Sequence, residues 1–303
     1  MKTKSYSFID LAKLGRTNWW VPILTILLIA VVGSFFSFVV GITLGGSIYL
    51  KTIHIATIGA DLISGATNKV LAILGFWLAC RYILRRPFRS LISADLTFRI
   101  RRCLFGAALY LPAHIVSLMI LTIYISMRSR ALVIPFRHFE SPTFIHVLVW
   151  LLELIAIPFF AFSEELFFRG WLTQTLKLYV RFAIVVVAIV AVVFAAYHAQ
   201  YNLHQKMEIF ASSLGFSALS LRDQRLEFSI GAHTMTNICV TLQNLFFAGY
   251  LPSMHFTVVP LDWYALAFIK GALPFALMYW FLQKTNGWTT PKRATEVADV
   301  QHA

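Results

Sequence analysis

The amino-acid sequence predicts an all-α, polytopic membrane helix bundle with about eight transmembrane helices and both termini in the cytoplasm. Three observations predict this fold. The 303-residue chain is 59% hydrophobic and only 13% charged, whereas soluble domains are about 45–50% apolar and about 25% charged. Its apolar residues form long runs without the alternating period of a membrane barrel. No hydrophilic stretch is long enough for a second domain, so residues 1–303 are expected to form a single membrane domain.

Eight apolar segments approach the length of about 17–25 residues that a membrane-spanning helix needs. Backbone groups in lipid must be hydrogen-bonded internally, so we expect each segment to be helical. The second segment is short and is bordered by Asp61 and Lys69, and the sixth is short and contains four serines, so both are expected to pack inside the bundle. The eight segments cover residues 20–44, 67–84, 103–125, 144–163, 182–200, 207–221, 228–249 and 262–283.

The distribution of charge predicts the orientation of these segments. The net charge is +13, and the basic residues lie in short clusters between apolar segments. With eight spans and a cytoplasmic N-terminus, the termini and loops 81–102, 174–181 and 222–227 contain 18 Lys and Arg residues, against six on the other side. Cytoplasmic loops of membrane proteins are enriched in Lys and Arg. The basic residues are therefore explained by the cytoplasmic loops of a membrane protein, which argues against a nucleic-acid partner.

The stretch "AFSEELFFRGW", residues 161–171, places charged groups directly after an apolar run. Ionisable residues at membrane depth are costly and are candidates for function. Glu165 and Arg169 are four residues apart, so on a helix they share a face and can form an ion pair. Glu164 is rotated by about 100° from Glu165 and can face a cavity as a proton acceptor. The alternative is that all three residues cap a helix end at the membrane surface.

Two further residue pairs have the same four-residue spacing. Phe194 and His198 lie at the end of the fifth segment, and His233 and Asn237 lie inside the seventh. Each pair shares one face of its helix. Each pair also has a non-functional explanation. A histidine at a helix end can simply be an interfacial or packed residue, and a His–Asn pair can simply form a polar contact between membrane helices.

Four of these residues come from three different segments and can converge on one pocket: Glu164, His198, His233 and Asn237. Such a set can activate water and stabilise an oxyanion. Alternatively, one glutamate and two histidines (Glu164, His198 and His233) can bind a divalent metal such as zinc and leave a position open for water. Both arrangements predict hydrolysis of an acyl bond, and the residues leave the metal undecided.

Three motifs, "EELFFRG", "FAAYH" and "HTMTN", resemble in order and spacing those of the CAAX prenyl protease and bacteriocin-processing (CPBP, Abi-like) family of intramembrane proteases. The stretch "SSLGFSALSLRDQRLEFSIGAHTMTN" also resembles the glycine-containing sixth helix of that family, its polar turn and the entry to the third motif. The resemblance covers roughly residues 144–249, and the first three segments are not diagnostic.

The resemblance implies an all-α membrane fold whose site lies inside the bilayer, within reach of the C-terminal segment of a substrate. It implies that Glu164 and His198 activate water and that His233 and Asn237 hold the oxyanion. The residues expected to support the site are Glu165, Arg169 and Phe194. The resemblance does not decide whether a metal takes part.

The expected function is that of an intramembrane endopeptidase in a bacterial cytoplasmic membrane. It would hydrolyse a peptide bond near the C-terminus of a membrane-associated or lipid-anchored protein or peptide. A non-enzymatic immunity or assembly factor on the same fold is the alternative, although the intact set of polar residues argues against it. A secondary transporter is a third reading, but the sequence has no duplicated pair of interrupted helices. Glu153, three turns before Glu164, is expected either to line the same cavity or to pair with Lys270.

Overall fold

The structure, a computed structural model, describes residues 5–45, 54–130, 132, 143–246, 261–288 and 294–295. These residues form the predicted all-α bundle, with nine α-helices and two short antiparallel strands, β1 (Ser5–Tyr6) and β2 (Ala294–Thr295). The helices are α1 (Val21–Gly45), α2 (His54–Ala79), α3 (Ile100–Ser129), α4 (Phe144–Glu165), α5 (Thr173–Tyr179), α6 (Ala183–Tyr197), α7 (Leu203–Asp223), α8 (Glu227–Phe246) and α9 (Leu261–Thr285). Shorter turns are 3₁₀-helical at Phe8–Leu14 and Phe88–Leu91 and π-helical at Cys80–Leu84 and Leu166–Leu172.

Each of the eight predicted segments overlaps one of these helices, and the additional helix is α5. The π-helical turn Leu166–Leu172 joins α4 to α5, so one apolar helical segment runs over Val147–Tyr179. The sequence pattern ends this segment near residue 163, because charged residues follow there. The helix continues because Glu165 and Arg169 are buried in the bundle.

Within the described residues, four helical segments are long and apolar enough to cross a membrane, as expected of a multi-pass membrane protein: Gly65–Leu84, Ile100–Ser129, Val147–Tyr179 and Asp262–Thr285. Two shorter apolar helices cover Val21–Phe35 and Ala183–Tyr197. The count of eight spans and the cytoplasmic position of the termini stay predictions. Residues 247–249 of the predicted seventh segment lie outside the described residues.

Helix α8 packs against α3, α4 and α7, and two glycines set its distance from α3. A Cβ atom at Gly231 would lie 1.8 Å from the carbonyl oxygen of Cys103, and one at Gly106 would lie 2.1 Å from that of Phe228. Both distances are far below van der Waals contact, so only glycine lets the two backbones approach this closely. The contact fixes the position of α8 and therefore of His233, two residues after Gly231.

A polar cluster outside the apolar segments fixes the start of α8. Arg225 donates hydrogen bonds to Asp95 at 3.1 Å and to Glu227 at 2.9 Å. Burial raises the pKa of Asp95, but hydrogen bonds from Thr97 and the charge of Arg225 hold that pKa below its usual value. The cluster ties the loop before α3 to the first residue of α8.

Candidate active site

The two adjacent glutamates of the first motif lie at the end of α4, in different environments. Glu165 is fully buried, whereas the side chain of Glu164 is 13% exposed. The π-helical turn begins at the next residue, Leu166. Such turns, with hydrogen bonds between residues five apart, are frequent at functional sites. Adjacent side chains on a helix point about 100° apart, so the two carboxylates diverge and each has its own set of partners.

Glu165 is the centre of a buried polar network. Its Oε1 accepts a hydrogen bond from Nη1 of Arg169 at 2.9 Å, and its Oε2 accepts one from Oγ of Ser229 at 3.0 Å. Nη2 of Arg169 donates to Oγ of Ser213 at 2.6 Å. The ion pair predicted from the helical spacing is thus present. It offsets the cost of removing both charges from water, and its hydrogen bonds join α4 to α7 and α8.

Aromatic rings enclose the guanidinium of Arg169. Its Cζ lies 4.4 Å from the ring centroid of Phe194 and 5.1 Å from that of Phe216, where cation–π attraction is favourable. The ring of Phe194 also lies 4.8 Å from that of His198 and 5.9 Å from that of His233. Phe194 therefore packs among Arg169 and both histidines of the motifs.

The ring of His233 lies between the two glutamates. Its Nδ1 is 2.9 Å from Oε1 of Glu165, and its Nε2 is 3.7 Å from Oε2 of Glu164. Oε1 of Glu165 is an acceptor in its bond with Arg169, so we assign a proton to Nδ1, which donates to the same oxygen. The ring stacks on Phe216 with centroids 4.6 Å apart. Nε2 is therefore the nitrogen directed to Glu164.

His198 follows the last residue of α6 and also approaches Glu164. Its Nδ1 lies 2.8 Å from the carbonyl oxygen of Phe194. A carbonyl oxygen only accepts, so Nδ1 carries the proton and the lone pair of neutral His198 is on Nε2. The imidazole is close enough to interact electrostatically with the carboxylate of Glu164. Glu164 thus lies near both imidazoles of the predicted site.

A residue that sequence reasoning did not assign to the site contacts Glu164. Nζ of Lys69, on α2, lies 2.9 Å from Oε1 of Glu164 and 3.2 Å from Oη of Tyr197. The signal in the sequence was a charged residue beside a short apolar segment. A helical pattern does not show which neighbouring helix neutralises such a residue, so this contact could not be read from spacing.

The remaining candidates lie on the helices expected for them. Asn237 is partly buried on α8, one turn after His233 and on the same face. Glu153 is partly buried on α4. Lys270 forms an ion pair of 2.9 Å with Glu208 of α7, so the predicted alternative of a pair between Lys270 and Glu153 is wrong.

The arrangement of side chains does not fit a metal site. Among the residues that the structure describes, no three His, Cys, Asp or Glu side chains are placed so that they could hold a metal ion. One oxygen of Glu164 is also directed to the ammonium of Lys69, a cation that would repel a metal ion bound there.

The arrangement can hold a water molecule. The 3.7 Å between Oε2 of Glu164 and Nε2 of His233 is too long for a direct hydrogen bond. A water to one side of this gap can hydrogen-bond to both atoms. A carboxylate and an imidazole beside one water are groups that general base catalysis uses.

Comparisons with known proteins identify the family of the chain. Residues 145–239 match the family described as type II CAAX prenyl endopeptidase Rce1-like. The chain is 30% identical over 242 residues to "Uncharacterized protein YyaK" of Bacillus subtilis (strain 168), and the match covers 75% of this chain and 77% of that protein. No solved structure matches the chain. The matched residues 145–239 include Glu164, His198, His233 and Asn237, whereas Lys69 lies outside them.

Proposed function

Because the chain belongs to the Rce1-like family of type II CAAX prenyl endopeptidases, a family of peptidases, we propose that it is an intramembrane endopeptidase. It hydrolyses a peptide bond near the C-terminus of a membrane-associated or lipid-anchored protein or peptide. The observation that carries this proposal is the carboxylate of Glu164 3.7 Å from the imidazole of His233, in a site where the ring of Phe194 contacts both His198 and His233.

In the proposed reaction, Glu164 is the general base. A water molecule beside Oε2 of Glu164 transfers a proton to the carboxylate while its oxygen attacks the carbonyl carbon of the scissile bond. His198, whose Nε2 has the lone pair, accepts a hydrogen bond from the same water and holds it for attack. Aromatic side chains surround the site, and charges interact more strongly in such a medium than in water.

Two residues of α8 stabilise the charge that develops on the carbonyl oxygen. His233 donates Nδ1–H to Glu165, and once its Nε2 has taken up a proton from solvent it donates Nε2–H to the oxyanion. Asn237, on the same face, supplies an amide donor. The tetrahedral intermediate then collapses: the C–N bond breaks, and the proton held by Glu164 passes to the leaving amine. The products are a carboxylic acid and an amine.

Glu165 and Arg169 do not touch the substrate in this scheme. They hold the Nδ1 side of His233 through the hydrogen bond of 2.9 Å to Oε1 of Glu165. The ring orientation of His233 then needs no adjustment during the reaction, which lowers the barrier. We place the protein in a bacterial cytoplasmic membrane, on the basis of its long apolar helices and its bacterial relative.

The test is an assay of the purified protein in liposomes, with a library of lipid-anchored peptides that differ in their C-terminal segments. Mass spectrometry of the products identifies the cleaved bond. We expect cleavage near the C-terminus, and we expect none by Glu164→Ala, His198→Ala or His233→Ala variants that insert normally. Glu208→Ala, which removes a partly buried glutamate paired with Lys270, is the matched control and should cleave normally.

Two results would contradict the proposal. Full activity in all three site variants would show that the roles are wrongly assigned. If the wild type cleaves no peptide, and Glu164→Ala restores the phenotype of a deletion strain, the protein acts by binding, as an immunity or assembly factor would. Adding a chelator to the same assay tests the metal: the geometry predicts unchanged activity, and loss that zinc restores would contradict it.

A further inference from the structure

Lys69 enters the candidate site from α2 and has several contacts there. Its Nζ donates to Oε1 of Glu164 at 2.9 Å and to Oη of Tyr197 at 3.2 Å. The same ammonium lies 5.6 Å from the ring centroid of Phe160 and 5.4 Å from that of Tyr197, within the range of cation–π attraction. The lysine side chain is only 17% exposed. These contacts hold the ammonium in one place beside the carboxylate.

The contact with Lys69 makes the two oxygens of Glu164 unequal. Oε1 bonds to Nζ of Lys69, whereas Oε2 is directed to Nε2 of His233, 3.7 Å away. A charge-assisted hydrogen bond of this kind is formed by the ionised carboxylate, which is the form that accepts a proton. Holding Oε1 also restrains rotation of the carboxylate, so Oε2 stays directed at the position of the attacking water.

The other basic group near the site has a different partner. Arg169 bonds to Glu165 and to both the carbonyl oxygen and Oγ of Ser213. Arg169 is buried and contacts the oxygen of Glu165 that Nδ1 of His233 also contacts. Lys69 instead contacts Glu164 itself, and it links α2 to α4 and, through Tyr197, to α6.

We propose that Lys69 is a positioning residue for the hydrolysis: it holds Oε1 of Glu164 so that Oε2 accepts the proton of the attacking water. The inference rests on the proposed function, since it requires Glu164 to be the base. Residue 69 lies outside the region 145–239 that matches the family, so the role belongs to a helix that the motifs do not include.

The experiment compares Lys69→Met, Lys69→Arg and wild-type protein in liposomes, with the peptide that the wild type cleaves. Lys69→Met removes the ammonium and keeps an unbranched side chain only one atom shorter. It should lower kcat about 10–100-fold, part of the 10²–10⁴-fold that general base catalysis contributes, with KM changed less than about threefold. Lys69→Arg should recover most of the lost kcat. The matched control is Lys270→Met, which removes another partly buried lysine from an ion pair of 2.9 Å and should leave kcat and KM unchanged.

Chemical rescue separates a local role from a general role in folding. Lys69→Ala lacks the part of the side chain that corresponds to n-propylammonium. Adding n-propylammonium should restore activity to Lys69→Ala in a concentration-dependent way, and neutral n-propanol should not. The same cation should not rescue Glu164→Gln, which lacks the base itself.

The outcomes are distinct. If the wild type cleaves and Lys69→Met has the wild-type kcat, the inference about Lys69 is wrong while the proposed function stands. If Lys69→Met and Lys69→Arg are equally inactive and n-propylammonium rescues nothing, Lys69 serves the fold and the inference is again wrong. If the wild type cleaves no peptide, the proposed function fails, and the inference that rests on it fails with it.

Discussion

The Nδ1 atom of His233 lies 2.9 Å from Oε1 of Glu165, the same oxygen that accepts a hydrogen bond from Arg169. The second glutamate of the first motif is therefore joined directly to the histidine of the third. Glu164, its neighbour, faces the other nitrogen of the same ring at 3.7 Å. The proposed roles follow from these contacts: Glu165 orients the ring of His233, and Glu164 accepts a proton from water.

The first prediction concerns Glu165. In Glu165→Gln the NH₂ group of the amide can donate to Nδ1 of His233, which moves the ring proton to the other nitrogen. We therefore expect kcat to fall about 10²–10⁴-fold, as it does when the carboxylate that orients a catalytic histidine is changed to an amide. The folded state should also lose about 3–5 kcal/mol, because the charge of Arg169 is left buried without its partner. Steady-state kinetics and thermal unfolding in detergent measure the two effects. A variant with wild-type kcat would contradict the link between Glu165 and His233.

The second prediction concerns Arg169, which is 1% exposed. Arg169→Met should destabilise the protein by about 3–5 kcal/mol, because it leaves the carboxylate of Glu165 buried without the guanidinium that balances its charge. Denaturant unfolding in detergent measures the change. The control is Lys13→Met, which breaks the ion pair with Asp10 in which the lysine side chain is 47% exposed; it should cost less than about 1 kcal/mol. An equal loss of unfolding free energy in the two variants would show that the buried ion pair stabilises the fold no more than the exposed one.

The third prediction tests the close contact of α3 and α8. Gly231→Ala places a Cβ 1.8 Å from the carbonyl oxygen of Cys103, so α8 must move and stability should fall by about 1–3 kcal/mol. Because His233 moves with the helix, kcat should fall as well. Gly33→Ala makes the same chemical change at a helix position with nothing within 4 Å and should be neutral or slightly stabilising. If both variants have wild-type stability and kcat, the contact does not position α8.

The fourth prediction is a pH dependence of stability. The pKa of Asp95 is below its usual value because, although burial raises it, hydrogen bonds from Thr97 and the charge of Arg225 lower it further. A carboxyl whose pKa is lower in the folded state adds stability above its unfolded pKa, about 3.9, and that stability is lost as the pH falls through the folded pKa. The Tm of the wild type should therefore drop below about pH 4 more steeply than that of Asp95→Asn. Parallel curves for the two proteins would contradict this.

Spacing along single helices was enough to predict part of the site. Helix geometry alone places Glu165 and Arg169 together, and their ion pair is present at 2.9 Å. The same reasoning places Asn237 on the face of His233, as found in α8. The end of α4 was not predictable in this way, because a buried ion pair and a surface ion pair have the same sequence pattern. The roles of these residues in catalysis stay predictions.

Contacts between helices could not be predicted from spacing. Lys69 reaches Glu164 across α2 and α4, and Ser213 and Ser229 complete the network of Glu165 from α7 and α8. Nothing in the sequence around each of these residues distinguishes it from an ordinary polar residue of its own helix. Their importance depends on the packing of helices distant in sequence, which a single sequence does not show.

The most direct test of the central claim, that Glu164 activates water beside His233, compares wild-type protein and Glu164→Gln in liposomes containing H₂¹⁸O. The glutamine keeps the shape of the side chain but cannot accept a proton. We predict that the wild type leaves one ¹⁸O atom at the new C-terminus of the cleaved peptide and that Glu164→Gln cleaves about 10²–10⁴-fold more slowly or not at all. Cleavage by Glu164→Gln at the wild-type rate would contradict the claim.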